Sequence, residues 1–256
     1  MKLIKAAITL FFCIFSHIFF GQNNKSEADS LEYNTNKLIR LIDCDKEFEL
    51  NDAIVFIKEK KLKEYIIDKV DNYAEQISRK DGKCQLYMAL ADNYVDAGAY
   101  TEAQPLLIKA LDIAEKNKLY NYSSAIYNTL GNVFVETNMF KNGFKNYYKA
   151  LEINHSRNDS VNIGTVHLNI GTAFYKSAID KPEYFDSARS HLGISIKITQ
   201  VLNSIGDLNR AYQALGLILT DEQNYTEAEK SFRKSIQLSN KYNAPELTYY
   251  DQYQMA

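Results

Sequence analysis

Residues 87–110 read YMALADNYVDAGAYTEAQPLLIKA. Tyr87, Leu90, Ala91 and Tyr94 fall at i, i+3, i+4 and i+7, one face of a helix. Ala103, Leu107 and Ala110 repeat that spacing on a second helix, and Gly98–Ala99 supplies a short turn between them. The stretch therefore predicts a helical hairpin. Its small residues, Ala91 and Ala103, let the two helices approach closely while aromatic rings fill the space on either side.

The same arrangement recurs three times downstream. The second copy carries Tyr127, Leu130, Gly131, Phe134, Phe140, Gly143, Tyr147 and Ala150. The third carries His167, Ile170, Gly171, Phe174, Phe185, Ala188, Leu192 and Ser195, and the fourth Tyr212, Leu215, Gly216, Leu219, Tyr225, Ala228, Phe232 and Ser235. The small residue after Leu or Ile stands at 91, 131, 171 and 216, which gives spacings of 40, 40 and 45 residues. The five extra residues of the third copy fall at Ser177–Pro182, a segment whose proline and polar neighbours make a longer loop. Each hairpin leaves an apolar face that only the next hairpin can cover, so the copies stack into a solenoid.

This recurrence in one frame resembles the tetratricopeptide repeat (TPR), over about Leu50 to the C-terminus. The resemblance implies an all-α fold, a right-handed α-solenoid of stacked helix-turn-helix TPR hairpins. The proline that ordinarily ends the second helix of such a repeat is absent, and Glu115, His155, Gln200 and Asn240 stand in its place. Without that stop the second helix is expected to run about another turn, which accounts for a period near 40 instead of 34. In this the chain looks like the long-repeat tetratricopeptide proteins used in signalling.

The frame organises the remaining sequence. Carried backwards it lands on Leu50, Ile54, Ile67 and Ala74, with Asn51 and Lys63 at the small positions, so 44–83 reads as a degenerate repeat. Leu31, Leu38 and Ile42 mark a capping helix within 22–43, behind a disordered Asn23–Ser30. The clear repeats occupy 84–123, 124–163, 164–208 and 209–248. Carried forwards by 40, the frame reaches Met255 and Ala256, so 249–256 reads as the start of a truncated repeat or as a terminal cap.

The first 21 residues stand apart. Met1–Gln22 reads MKLIKAAITLFFCIFSHIFFGQ, with Lys2 and Lys5 ahead of an apolar run and Gly21 at a plausible cleavage point. It reads as a signal peptide, with an uncleaved N-terminal anchor in the inner membrane as the alternative. Phe11 and Phe12 ahead of Cys13 do not suit a lipobox. The expected mature chain is exported, periplasmic or secreted, with no further apolar run long enough to span a membrane. Cleavage would leave Cys44 and Cys84, expected as two buried thiols, with a Cys44–Cys84 bridge as the alternative that export permits.

Composition agrees with this organisation. Of 256 residues 10 are Gly and 3 are Pro, well below the roughly 12% of average usage. So few turn formers argue against an all-β chain and against low-complexity disorder. Thirty basic against 32 acidic side chains give a net charge of −2. That balance offers no footprint for nucleic acid, which needs a basic excess.

No motif for catalysis, metal or cofactor emerges from the sequence: there is no H-E-x-x-H, C-x-x-C, phosphate loop or G-x-S-x-G. His167 stands at a core aromatic position, and His155 and His191 have no Cys or carboxylate at metal-like spacing. The expected protein is therefore not an enzyme and carries no cofactor. Its work is expected in the concave groove, which in tetratricopeptide proteins is lined by the first helix of each repeat. Transferred position by position, the groove set is Met88, Asp92 and Asp96; Asn128, Asn132 and Glu136; Asn169, Thr172, Tyr175 and Lys176; and Gln213 and Asp221. Val95, Val135, Leu168, Leu217 and Thr220 share those faces, and Lys176 and Arg210 offset the acids. Asn128 and Asn132, at i and i+4, can offer two amides to an extended peptide backbone. The Lys–Asn–Arg clamp by which some such modules take a peptide C-terminus is not assembled, because Met88 and Asp92 occupy its positions. A neutral or basic extended segment, or a partner's helix, is the expected occupant. Two roles follow: an exported protein-binding scaffold, or the N-terminal sensor region of a signal-transduction protein with a histidine kinase or DNA-binding output. The sequence does not reveal the oligomeric state.

Overall fold

The computed structural model describes residues 27–44, 47–178, 181 and 183–242. Among them twelve helices follow one another and no strand occurs. They are α1 Glu27–Cys44, α2 Leu50–Glu59, α3 Lys63–Ile67, α4 Val70–Gln76, α5 Lys80–Asp96, α6 Tyr100–Lys116, α7 Tyr120–Glu136, α8 Phe140–Ser156, α9 Ser160–Ser177, α10 Tyr184–Leu202, α11 Ile205–Asp221 and α12 Tyr225–Lys241. The fold is the all-α solenoid the sequence implies, with the helices packed in consecutive pairs: α5 on α6, α7 on α8, α9 on α10 and α11 on α12. Residues 1–21, read above as a signal peptide, and residues 249–256 lie outside the described residues, as do residues 179, 180 and 182 of the inserted loop.

The forty-residue period has a simple build. A hairpin such as α5–α6 is two 17-residue helices. The second helices run through the positions where proline was missed: α6 through Glu115, α8 through His155, α10 through Gln200 and α12 through Asn240. The first helices start at 80, 120, 160 and 205, one turn ahead of the frame lines at 84, 124, 164 and 209.

The small residues do what the spacing demands of them. A Cβ on Gly131 would stand 2.3 Å from the Tyr147 ring, one on Gly216 2.6 Å from the Phe232 ring, and one on Gly171 2.8 Å from Leu192. Each glycine is a seat for a bulky side chain of the partner helix, which brings the helix axes together and buries that side chain. Tyr147 and Phe232 are among the largest fully buried side chains. The turns solve a different problem. Helix ends leave carbonyls unpaired, and six of the short turns between α5 and α12 each pass through one left-handed residue: Gly98, Lys118, Asn138, Asn158, Asn203 or Gln223. That geometry returns a backbone N–H to the last helical turn, as in Leu119 N–H to the Ala114 carbonyl at 2.8 Å and Met139 N–H to Phe134 at 2.7 Å. Asparagine tolerates the left-handed region better than most residues, so the array needs glycine at one of these turns only.

The N-terminal part is a worn version of the same plan. The capping helix is α1, which already includes Glu27–Ser30, so those residues are helical and not disordered. In the degenerate repeat α2 is the first helix, and the second is broken at Asp68–Lys69 into α3 and α4. Cys84 is buried and Cys44 is exposed, and no disulfide joins them, so the expected pair of buried thiols is one. Burial pushes the Cys84 thiol up to about 12, with the Asp81 charge adding to it.

Consecutive first helices touch one another directly: α2 and α5, α5 and α7, α7 and α9, α9 and α11. The second helices meet chiefly the first helices on either side of them. Close first helices and spread second helices are the packing of an array curved toward the first helices, whose free faces line its inner side.

Candidate functional site

The inner face is a set of polar side chains that reach from one repeat to the next. Lys58 of α2 stands 3.7 Å from Asp96 of α5. Asn169 of α9 donates its amide N–H to Oδ1 of Asn128 on α7 at 2.9 Å. Lys176 of α9 pairs with Glu136 of α7 at 2.5 Å, and the Tyr175 hydroxyl donates to Asp221 of α11 at 2.9 Å. Asn132 accepts from the hydroxyl of Tyr147 at 2.7 Å, which ties it to α8 of its own repeat. The two amides read as side by side therefore have both oxygens occupied. Among the described residues neither Nδ2 donates to another side chain or carbonyl, so two amide donors remain for a ligand.

Asp92 differs from these. It is half-buried on α5 and makes no hydrogen bond to a described residue. Burial, and then the charge of Asp96 one turn on, push its carboxyl up to about 7. A carboxylate held this way gains most from a donor or a cation brought by a partner.

The remaining groove candidates divide by burial. Met88 is 2% exposed and packs in the core that joins α1 to α7. It does not line the groove, because α2 lies directly over that face of α5. Asn169 is also buried and reaches the face only through its bond to Asn128. Thr172 turns its hydroxyl back to the Leu168 carbonyl at 3.0 Å, and Gln213 is half-buried on α11. Val135 and Leu168 are buried. Two further side chains, with no motif or repeat position to mark them, bind α5 to the degenerate repeat. They are Gln85, donating to the Phe48 carbonyl at 2.8 Å, and Asn93, donating to Ile54 at 3.1 Å.

A family model for the tetratricopeptide repeat matches residues 85–117 and 210–242, which fall on α5–α6 and α11–α12. Those two hairpins match the tetratricopeptide repeat, the family the sequence pattern resembles. Among solved structures it is similar to BtubC (BKLC) from P. vanneervenii, at 18% identity and a TM-score of 0.62, over 86% of this chain and 93% of that one. It is also similar to a Signal Transduction ATPase with Numerous Domains (STAND) protein with a tetratricopeptide repeat sensor from Pyrococcus horikoshii. There the identity is 13% and the TM-score 0.59, over 91% of this chain and 37% of that one. At these identities the likeness is one of fold. No curated protein matches the chain in sequence.

The tetratricopeptide frame also exposes how its hairpins are pinned outside the groove. In the first, the Tyr87 hydroxyl donates to Asp71 of α4 at 2.7 Å, and Lys109 of α6 reaches the same carboxylate at 2.7 Å. In the second, Tyr127 donates to Glu115 of α6, and Lys149 of α8 reaches the phenol oxygen at 3.0 Å. In the fourth, Lys234 lies 5.0 Å over the Tyr212 ring. The third hairpin has no such tyrosine. His167 takes its place, Ile194 takes the lysine's, and the partner is His191, Nδ1 to Nδ1 at 2.9 Å. Among the described residues no group of three His, Cys, Asp or Glu side chains is placed to hold a metal ion, and no helix is long and apolar enough to cross a membrane.

Proposed function

We propose that this tetratricopeptide array is a non-catalytic scaffold that holds an extended segment of a partner protein along the inner faces of α5, α7, α9 and α11. The observation that carries this reading is the half-buried Asp92 carboxyl, bonded to no described residue, on the same face as the spare amide donors of Asn128 and Asn132. An extended backbone presents both N–H and C=O groups. Amide donors suit its carbonyls and Asp92 suits an N–H or a cationic side chain, so the reading favours a neutral or basic segment.

The test is a display library of extended peptides selected on the full chain, followed by Asp92→Asn and Asn128→Ala. Each lost hydrogen bond should weaken the selected peptide about threefold to tenfold. Unchanged affinity in both variants, with melting temperatures kept, rejects the groove as the site. The reading includes export, supported by the charged start and apolar run of residues 1–21. The N-terminus of the mature chain, read by mass spectrometry from the native host, tests it: a chain that still begins at Met1 would leave only the anchored alternative.

A sensor role within a signal-transduction protein is the second reading. Its support is the shared fold with a STAND protein whose tetratricopeptide repeats are its sensor. Coding DNA that runs on past Ala256 into a membrane span and an output domain would favour it, and an immediate stop would remove it.

A further inference from the structure

We propose that the third repeat is an acid-operated latch: the His167–His191 pair holds α9 against α10 while both rings are neutral, and protonation releases that hairpin. The three histidines beyond the first 26 residues are His155, His167 and His191. His155 comes from α8, close enough for its charge to act on His167 of α9, and His167 faces His191 of α10. They replace an acid–tyrosine–lysine chain that links the preceding helix, the first helix and the second helix in the two repeats before.

The exchange changes what a proton does. Tyrosine, lysine and an ion-paired carboxylate keep their charge states between pH 5 and 8, whereas histidine is the side chain that titrates there. At 2.9 Å one Nδ1 must donate and the other must accept. A neutral imidazole has one of each role, but an imidazolium donates from both nitrogens. One added proton therefore puts a charge into the pair, and a second sets two donors against each other. The surroundings offer that charge little. The Phe174 ring stacks on His191 at 5.7 Å and packs on Phe144 at 4.3 Å, and His167 is 9% exposed.

Except for the exposed Glu152 of α8, the carboxylates on the neighbouring helices are engaged elsewhere. Glu136 of α7 is with Lys176, and Asp186 of α10 and Glu222 beyond α11 are both with Arg189. Asp207 of α11 is with Arg210 and Thr165, and Asp221 is with Tyr175. The other charged groups on the packed elements are Lys141, Lys145, Lys149, Glu152 and His155 of α8, and Lys197 of α10. Burial, then His191 and His155, hold His167 down at about 4, and burial lowers His191.

The sign follows from linkage. A histidine whose folded pKa lies below its unfolded value of ~6.5 gives full stability above that value and loses it as pH falls toward the folded pKa. For His167 alone the opening equilibrium should rise roughly thirtyfold between pH 7.5 and pH 5. In a solenoid each repeat contacts only its neighbours, so the opening stays local.

The experiment is native-state hydrogen exchange on the full chain at pH 7.5 and pH 5, corrected for intrinsic rates. Amides of α9 and α10 should lose protection at pH 5 while those of α5 to α8 should not. The double variant His167→Tyr, Ile194→Lys restores the pair found in the other three repeats, and it should hold α9–α10 closed at both pH values. A uniform loss across the array, or an acid-induced loss in α9–α10 that survives in this variant, overturns the latch. Should the double variant fail to fold, His191→Gln keeps an uncharged partner for His167 and removes one titrating ring. Its acid-induced loss should fall at least about threefold, and an unchanged loss again overturns the proposal.

Discussion

The second and third repeats sit side by side, share one frame and differ in what ends each buried polar chain. In the second, Tyr127 leads outward to Glu115 and Lys149, two side chains that water reaches, and Tyr147 leads to Asn132 on the inner face. In the third, His167 and His191 end in each other. The seats beneath differ too: Gly131 receives the flat Tyr147 ring and Gly171 the branched Leu192. Shape is thus common to the two hairpins while chemistry is not. A repeat protein can keep its stacking geometry in every unit and place a distinct property in one.

The largest way to test this contrast is to empty the two seats. Tyr147→Ala should cost about 3–5 kcal/mol and Leu192→Ala about 2–4 kcal/mol in chemical denaturation of the full chain. A larger loss at Leu192 would make the third hairpin the tighter one and break the contrast. Filling the seats is the next step down. In Gly131→Ala the new methyl meets a rigid ring at 2.3 Å, and a cost of about 1–3 kcal/mol is expected. In Gly171→Ala it meets Leu192 at 2.8 Å. Leucine can change rotamer, and alanine's better helix propensity offsets part of the strain, by up to about 1 kcal/mol. The Ala188 carbonyl at 3.1 Å cannot move aside in the same way, so Gly171→Ala should still destabilise, but by less than Gly131→Ala.

Much of this was legible in the sequence. The period, the small seats at Gly131, Gly171 and Gly216, and second helices running past the absent proline follow from local spacing, because each hairpin is built from residues close in the chain. What spacing could not show lies between repeats. Met88 looks like a groove residue in the frame, yet whether α2 covers it depends on how a degenerate repeat docks. Asn128 and Asn169 are 41 residues apart, and only direct contact of α7 with α9 joins them. The left-handed turns at Lys118 and Gln223 carry no glycine signal. The histidine pair was hidden for a related reason: His191 lies one turn ahead of the position that holds lysine in the other repeats.

The first repeat offers the opposite response to acid. Asp92, raised to about 7 by burial and by Asp96, gives full stability below the ordinary carboxylate range and loses it as pH rises through 7. Acidification from pH 8 to pH 5 should therefore tighten α5 by a several-fold gain in amide protection while α9 and α10 loosen. Asp92→Asn should stabilise the chain at pH 8 and do so less at pH 5. An α5 that loosens together with α9 would reduce both effects to a general acid response.

The smallest expected effect isolates the hydroxyl that the third repeat lacks. Tyr127→Phe keeps the ring and removes its bonds to Glu115 and Lys149, both of which are exposed and can turn to water or to each other. A net loss of about 0.5–1.5 kcal/mol is expected, with no change between pH 5 and pH 7.5. His167→Phe also removes one polar contact, but its partner His191 is half-buried against Phe174 and has less access to water. Its cost at pH 7.5 should be the larger of the two, and its acid sensitivity smaller than that of the unaltered chain. Equal costs at neutral pH would mean that water reaches His191 as readily as it reaches Lys149, and the difference between the two repeats would then rest on proton uptake alone.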